Sequence, residues 1–183
     1  MFLADLIGAA IQEAEGKPFA VVNSDILLAP AFDLEEMVAK LQPGASLISR
    51  RIDIDGPNER LGEAYWHGFD FIAMNPINPT PDLGMVFGMP WWDHFLPIVA
   101  IDRGHTLQIR VPFAFHVKHN ATWDERFWGF FGHKLLNGID LLGNRYVRFV
   151  RARLFRQRIC FWNEPRTLQH FSNANVAYID EHS

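Results

Sequence analysis

Phe19-Ala20-Val21-Val22-Asn23-Ser24-Asp25 is the stretch on which the reading of this chain turns. Four apolar residues, two of them β-branched, have the pattern of a short buried strand. Asn, Ser and Asp then follow, a set whose side chains favour turns. A polar turn directly after a buried strand puts Asp25 at the strand's carboxyl end, where open α/β sheets bind their ligands. A carboxylate there can hold a divalent cation that bridges phosphates. It can equally cap the turn that follows, and the spacing does not separate the two readings.

Working outward, Leu3, Leu6, Ile7, Ala10 and Ile11 recur at helical spacing before this strand, and Gly16 with Lys17-Pro18 stops that helix. After it, Asp33 can cap a helix running to about Leu41, Pro43-Gly44 breaks it, and Ala45 to Arg50 reads as another strand. Helix, strand, helix, strand is the order of an α/β layer and predicts a mostly parallel sheet flanked by helices. Residues 53 to 64 and 75 to 82 read as loops, rich in Gly, Pro and Asn. Strands are expected at Phe69 to Met74 and from Thr106 to Val117 with a break at Pro112, and a helix between about Trp91 and Arg103. A Phe/Trp-rich helix follows from Asp124 to Leu136, then an arginine-rich amphipathic helix from Tyr146 to Phe161. The expected division is a core over residues 1–136 and a helical, arginine-rich extension over 137–183.

The chain has 183 residues, enough for one domain that buries roughly 70% of its unfolded surface. With 49% apolar and 21% charged residues it is not a disordered chain, which would lack the apolar surface to offset its ordering entropy. Its single cysteine, Cys160, excludes an intrachain disulfide and a cysteine-built zinc site. The amphipathic start carries Asp5 and no basic leader, so it does not read as a signal peptide. No apolar run reaches 18 residues, so no membrane span is expected and the expected location is cytoplasmic. The net charge of −4 is unevenly spread. Seven arginines against three acids from Leu141 onward leave that part at +4 and the first 140 residues at −8. The acidic part supplies carboxylates for a cation. The six arginines from Arg145 to Arg158 could meet nucleic acid or acidic lipid, but a solvated helix face or an oligomer contact accounts for them as well. Nucleic acid is not the partner expected.

Two further segments carry candidate chemistry. Gly88-Met89-Pro90-Trp91-Trp92-Asp93 sets two indoles before a carboxylate at a helix start. Trp faces can stack on sugar rings, and a carboxylate beside them can accept a hydroxyl proton. The tryptophans can also be core, with Asp93 favouring the helix N-terminus. In His116-Val117-Lys118-His119 an extended backbone would point the two imidazoles to opposite faces, whereas a turn would let them share an ion. There is no GxGxxG loop, no GKS loop and no nucleophile elbow.

Taken in order, PFAVVNSDILL, GFDFIAM, FGMPWWDHFLP and FAFHVKHNATW resemble the GT-A type glycosyltransferases, over roughly Phe2 to Trp123. The resemblance implies a GT-A-like fold and transfer of a sugar from a nucleotide-diphosphate donor to a hydroxyl acceptor, itself a sugar. It implies Mn²⁺ or Mg²⁺ at Asp25, completed by His116 or His119, with Asn23 as the weakened first position of the motif and Asn23 and Ser24 as substrate-binding residues. Asp93 would contact or deprotonate the acceptor, Asp70 would line the acceptor side, and Trp91 or Trp92 would cover a sugar face. The family pattern is Asp-x-Asp, and here the first position is Asn23. A GT-A domain also begins with a strand-helix-strand unit that holds the base, whereas this chain starts at the helix before the metal-binding strand. Roughly 70 to 100 residues of a complete domain are expected to be missing. The sheet edge so exposed would favour a homo-oligomer. The alternative is a non-catalytic binding or assembly module derived from that fold, which no longer binds a nucleotide sugar.

Overall fold

The computed structural model describes residues 1–29, 34–39, 41–65, 69–76, 82–103, 105–120, 124, 126–141 and 176–179. Along the chain these form α1 (Leu3–Glu13), β1 (Phe19–Val22), β2 (Ile26–Leu28), α2 (Leu34–Ala39), β3 (Ala45–Ile54) and β4 (Glu63–Ala64). There follow β5 (Phe71–Met74), α3 (Trp92–Arg103), β6 (His105–Val117), α4 (Arg126–Leu141) and β7 (Val176–Ile179).

Two long strands, β3 and β6, lie parallel and form the spine of one sheet. Their first halves pair Ala45–Ser49 with His105–Ile109, and their second halves pair Arg51–Ile54 with Ala114–Val117. Between the halves β6 advances five residues while β3 advances two. Pro112, which has no amide hydrogen to give a ladder, falls in that slip. The strand order is β1-β5-β3-β6-β2, with β4 beside the second half of β3 and β7 beside the first half of β6.

The α/β class expected from the sequence is what forms, but the sheet is mixed. Among the described residues four ladders are antiparallel and two parallel, so the mostly parallel sheet is corrected. The reason is local. β1 and β3 do run the same way, since each is antiparallel to β5, but β5 inserts between them. A helix-and-strand count along the chain cannot see a later strand entering between two earlier ones. The turn after β1 then sends β2 to the far side of the sheet, antiparallel on β6.

Both faces of the sheet are covered, which is why β5 is apolar and buried at all four positions. Alternate residues serve opposite faces. Ile48, Ile72 and Met74 pack with Leu3 and Ile7 of α1, Phe95, Leu96 and Val99 of α3, and Phe131 and Leu135 of α4. Leu47, Phe71 and Ala73 pack on the other face with Leu41, Ile109 and Phe113, against Val38 of α2. Burying a side chain such as Phe71 or Leu47 stabilises the fold by roughly 1.5–3 kcal/mol.

Trp91 sets the start of α3. Its backbone is left-handed (φ 79°), a conformation costing a non-glycine residue about 1–3 kcal/mol. Its surroundings hold it there. The indole Nε1 donates to the Trp128 carbonyl of α4 at 3.0 Å, and a Cβ on Gly132 would stand 3.3 Å from the ring. Within α3, Pro97 has no amide hydrogen for the Asp93 carbonyl four residues earlier.

The boundary expected at residue 136 falls inside α4, which runs to Leu141, and residues 176–179 of the expected helical extension form β7 in the sheet. The helix expected at 146–161, its arginines and Cys160 lie outside the described residues. Among the described residues, no helix is long and apolar enough to cross a membrane.

Candidate metal centre and the carboxylate cluster behind it

The turn after β1 is closed by the Ile26 amide, which donates to the Asn23 carbonyl at 3.2 Å. β2 starts at once, and its first ladder pair sets Ile26 opposite His116 of β6. Asp25 therefore stands beside His116 although 91 positions separate them. Asp25 Oδ2 lies 3.3 Å from His116 Nε2 and 3.1 Å from His119 Nε2. The two imidazole rings are 5.0 Å apart. The extended geometry that would send them to opposite faces does not apply, because β6 ends at Val117 and His119 is already beyond it. The Lys118 amide donates to the Ile54 carbonyl at 2.8 Å, which anchors that exit.

One carboxylate oxygen and two imidazole nitrogens thus lie within 4.8 Å of one another. This donor set fits a divalent cation. Two nitrogen ligands suit Mn²⁺, Zn²⁺ or Fe²⁺ better than Mg²⁺, which prefers an all-oxygen shell. The side chains of Asp25 and His119 are 39% and 53% exposed, that of His116 8%, so the centre is closed behind and open in front. Partial burial pushes the Asp25 carboxyl upward, but the hydrogen bond from His119 and the charge of His116 outweigh it and hold it below its ordinary value. His119 is raised, by its hydrogen bond to the Asn120 carbonyl and by Asp25.

Behind His116 a chain of polar contacts enters the protein. His116 Nδ1 is 3.0 Å from Asp53 Oδ1, which also accepts from Arg51 Nε at 2.8 Å. The Arg51 guanidinium donates through one terminal nitrogen to both oxygens of Asp70 at 3.3 Å. Asn23 Nδ2 donates to Asp70 Oδ1 at 2.8 Å. Tyr65 covers the guanidinium, its ring centroid 4.0 Å from Cζ, and gives its amide to the Arg51 carbonyl.

At this inner end the carboxylates behave differently. Asp70 is raised by burial, against the pull of Arg51 and Asn23. Asp93, in the first turn of α3, is raised well above the ordinary carboxylate range by burial and then by the negative charge of Asp70. The Tyr65 hydroxyl is pushed up to about 12 by burial and by Asp93. Asp93 Oδ2 also lies 3.7 Å from Nε2 of the buried His94.

The residues expected from sequence therefore fall into groups. Asp25, His116 and His119 come together. Asn23 and Asp70 meet each other, and Asp93 lies close enough to Asp70 to feel its charge. Asn23 gives its amide nitrogen to Asp70. An aspartate there would set a second carboxylate 2.8 Å from Asp70, whereas an amide can donate. Ser24 is exposed in the turn. Trp91 and Trp92 are 4% and 3% exposed and packed in the core, so neither indole offers a free face to a sugar. Trp123 lies outside the described residues.

Arg51, Asp53 and Tyr65 were not singled out from sequence. A signal existed: Arg51 and Asp53, two residues apart, put opposite charges on one face if the strand is extended through Ile54. Reading a loop from residue 53 onward hid it, since β3 continues to Ile54. Comparison with protein-family models, with curated proteins and with solved structures finds no match to this chain.

Proposed function

We propose that the chain is a metal-dependent, glycosyltransferase-like protein of GT-A type, which transfers a sugar from a nucleotide-diphosphate donor to a hydroxyl acceptor. One observation carries the reading: Asp25, His116 and His119, from two segments far apart in the chain, converge their ligand atoms within 4.8 Å beside a carboxylate cluster. In this reading Asp25, His116 and His119 hold a divalent cation, Mn²⁺ in preference to Mg²⁺. When bound, the ion would supply charge neutralisation for a departing diphosphate. The exposed side of Asp25 and His119 leaves room for the phosphates. Asp93, raised by burial and by Asp70, is in this reading the group that takes the proton of an acceptor hydroxyl. Arg51 keeps Asp70 in place and limits the charge that Asp93 faces.

Calorimetric titration with Mn²⁺ and then with several nucleoside diphosphates tests this. The reading requires metal binding, followed by diphosphate binding that depends on the metal. Absence of heat with every diphosphate in the presence of Mn²⁺ would sink it. A second reading, a non-catalytic module of the same ancestry, is favoured by Asn23, an amide where a second carboxylate would strengthen cation binding and whose nitrogen donates to Asp70. Sugar transfer abolished by Asp93→Asn would exclude that second reading. Self-association is part of the proposal, through β1, an end strand of the sheet among the described residues. Light scattering showing only monomer at micromolar concentration would remove it.

A further inference from the structure

We infer that Asp53 is a positioning residue of the cation centre: it orders the His116 ring so that Nδ1 carries the hydrogen and Nε2 is left as the ligand atom. The inference rests on the reading of Asp25, His116 and His119 as that centre. His116 has a carboxylate on each nitrogen, Asp53 Oδ1 at 3.0 Å from Nδ1 and Asp25 Oδ2 at 3.3 Å from Nε2. The two carboxylates are not equivalent. Asp25 stands at the surface, its side chain 39% exposed. Asp53 is 19% exposed and held from behind by Arg51 Nε at 2.8 Å, and Arg51 is in turn fixed by Asp70 and covered by Tyr65. A carboxylate oxygen pinned in this way is a directed acceptor. It draws the ring hydrogen to Nδ1 and turns the lone pair of Nε2 outward to Asp25 and His119. An imidazole that ligates a metal through one nitrogen usually donates from the other to such a carboxylate, and losing the partner typically lowers metal affinity 10- to 100-fold.

The three ligands differ in their support. Among the described residues, His119 Nδ1 meets the neighbouring Asn120 carbonyl, at 3.0 Å, on an exposed segment. His116 is the buried ligand with a charged outer partner. Asp53 therefore fixes the rigid wall against which the two exposed ligands close.

The experiment uses the full chain, with Co²⁺ followed by its visible absorption band and Zn²⁺ as the silent ion. Asp53→Asn keeps an acceptor oxygen but loses the charge, and is expected to weaken Co²⁺ binding about 10-fold. Asp53→Ala is expected to weaken it toward 100-fold and to alter the band. Melting of the metal-free variants separates this from a packing role, which would lower the melting temperature and leave affinity and band unchanged in the folded protein. Should the variants fail to fold, the ¹⁵N ring shifts of His116 in the wild-type chain with Zn²⁺, assigned with His116→Gln, decide instead. A protonated Nδ1 with a metal-bound Nε2 supports the inference, and the reverse overturns it. Wild-type protein that binds Co²⁺ with unchanged affinity in both Asp53 variants overturns this inference alone. Wild-type protein that binds neither ion overturns the cation centre and the role of Asp53 with it.

Discussion

The two ends of the Arg51 network have opposite character. At the outer end Asp25 is held below its ordinary value and sits with two imidazoles at the surface. At the inner end Asp70 is 2% exposed, and Asp70 and Asp93 are both raised, chiefly by burial. The same side-chain type is thus tuned toward charge in one place and toward a proton in the other, by exposure and partners alone. An outer carboxylate kept ionised suits a cation. An inner one that prefers its proton suits proton exchange with a hydroxyl.

The harshest way to break this contrast is to collapse the inner wall. Trp91→Ala would empty a core position, free the α3 start from α4 and destabilise the fold by about 3–5 kcal/mol, read by denaturant unfolding. A loss below about 1 kcal/mol would mean that the contacts of Trp91 with Trp128 and Gly132 do not tie α3 to α4. Gly62→Ala acts at the middle of the network. Its new Cβ would collide with the Asp53 carbonyl oxygen, so β3 or the loop must move. The expected cost is about 1–3 kcal/mol, with a parallel weakening of metal binding that crystallography or Co²⁺ spectra would register.

The pH dependence sharpens the contrast without removing any packing. Because the folded-state pKa of Asp93 is raised, the native state holds more protons than the unfolded chain above the ordinary value of about 3.9. Stability from this group therefore falls as pH rises from there through its folded value, and the penalty persists above it. Asp25 runs the other way: its contribution is present above the ordinary value and disappears as pH falls through its lowered one. Asp93→Asn should thus gain stability over wild type as pH rises, and Asp25→Asn should lose it. Melting curves between pH 3 and pH 8 with parallel slopes for both variants would contradict the contrast. The smallest effect belongs to a neighbour outside both clusters. Lys118 pairs with Asp55 at 3.0 Å on the open surface, and Lys118→Ala should change neither melting temperature nor metal affinity measurably.

What was legible in the sequence follows from the range of the interactions involved. The helix at Leu3–Glu13, the strand at Phe19–Val22 and the turn at Asn23–Asp25 are written in local periodicity and turn chemistry, and they appear where expected. Asp25 and the His116–His119 pair were visible as residue types at an element's end. Their meeting was not, since it depends on β2 pairing with the last turn-ward residues of β6. The sheet's direction was misread because β5 enters between β1 and β3 from later in the chain. The tryptophans were ambiguous because an indole suits a core and a sugar equally well. The burial of both indoles, and the closeness of Gly132 and of the Trp128 carbonyl to Trp91, resolve it. Asp53 and Arg51 were hidden by a polar stretch that looks like a loop and is the end of a strand.

The account stands most directly on whether Asp25, His116 and His119 hold an ion together. Free Mn²⁺ counted by electron paramagnetic resonance, in titrations of the full chain and of Asp25→Asn, His116→Gln and His119→Gln, measures this. One ion bound per wild-type chain, with affinity lowered at least about 10-fold in each variant, is the predicted result. Wild-type protein that leaves all the Mn²⁺ free, or variants that bind it as tightly as wild type, would contradict the account.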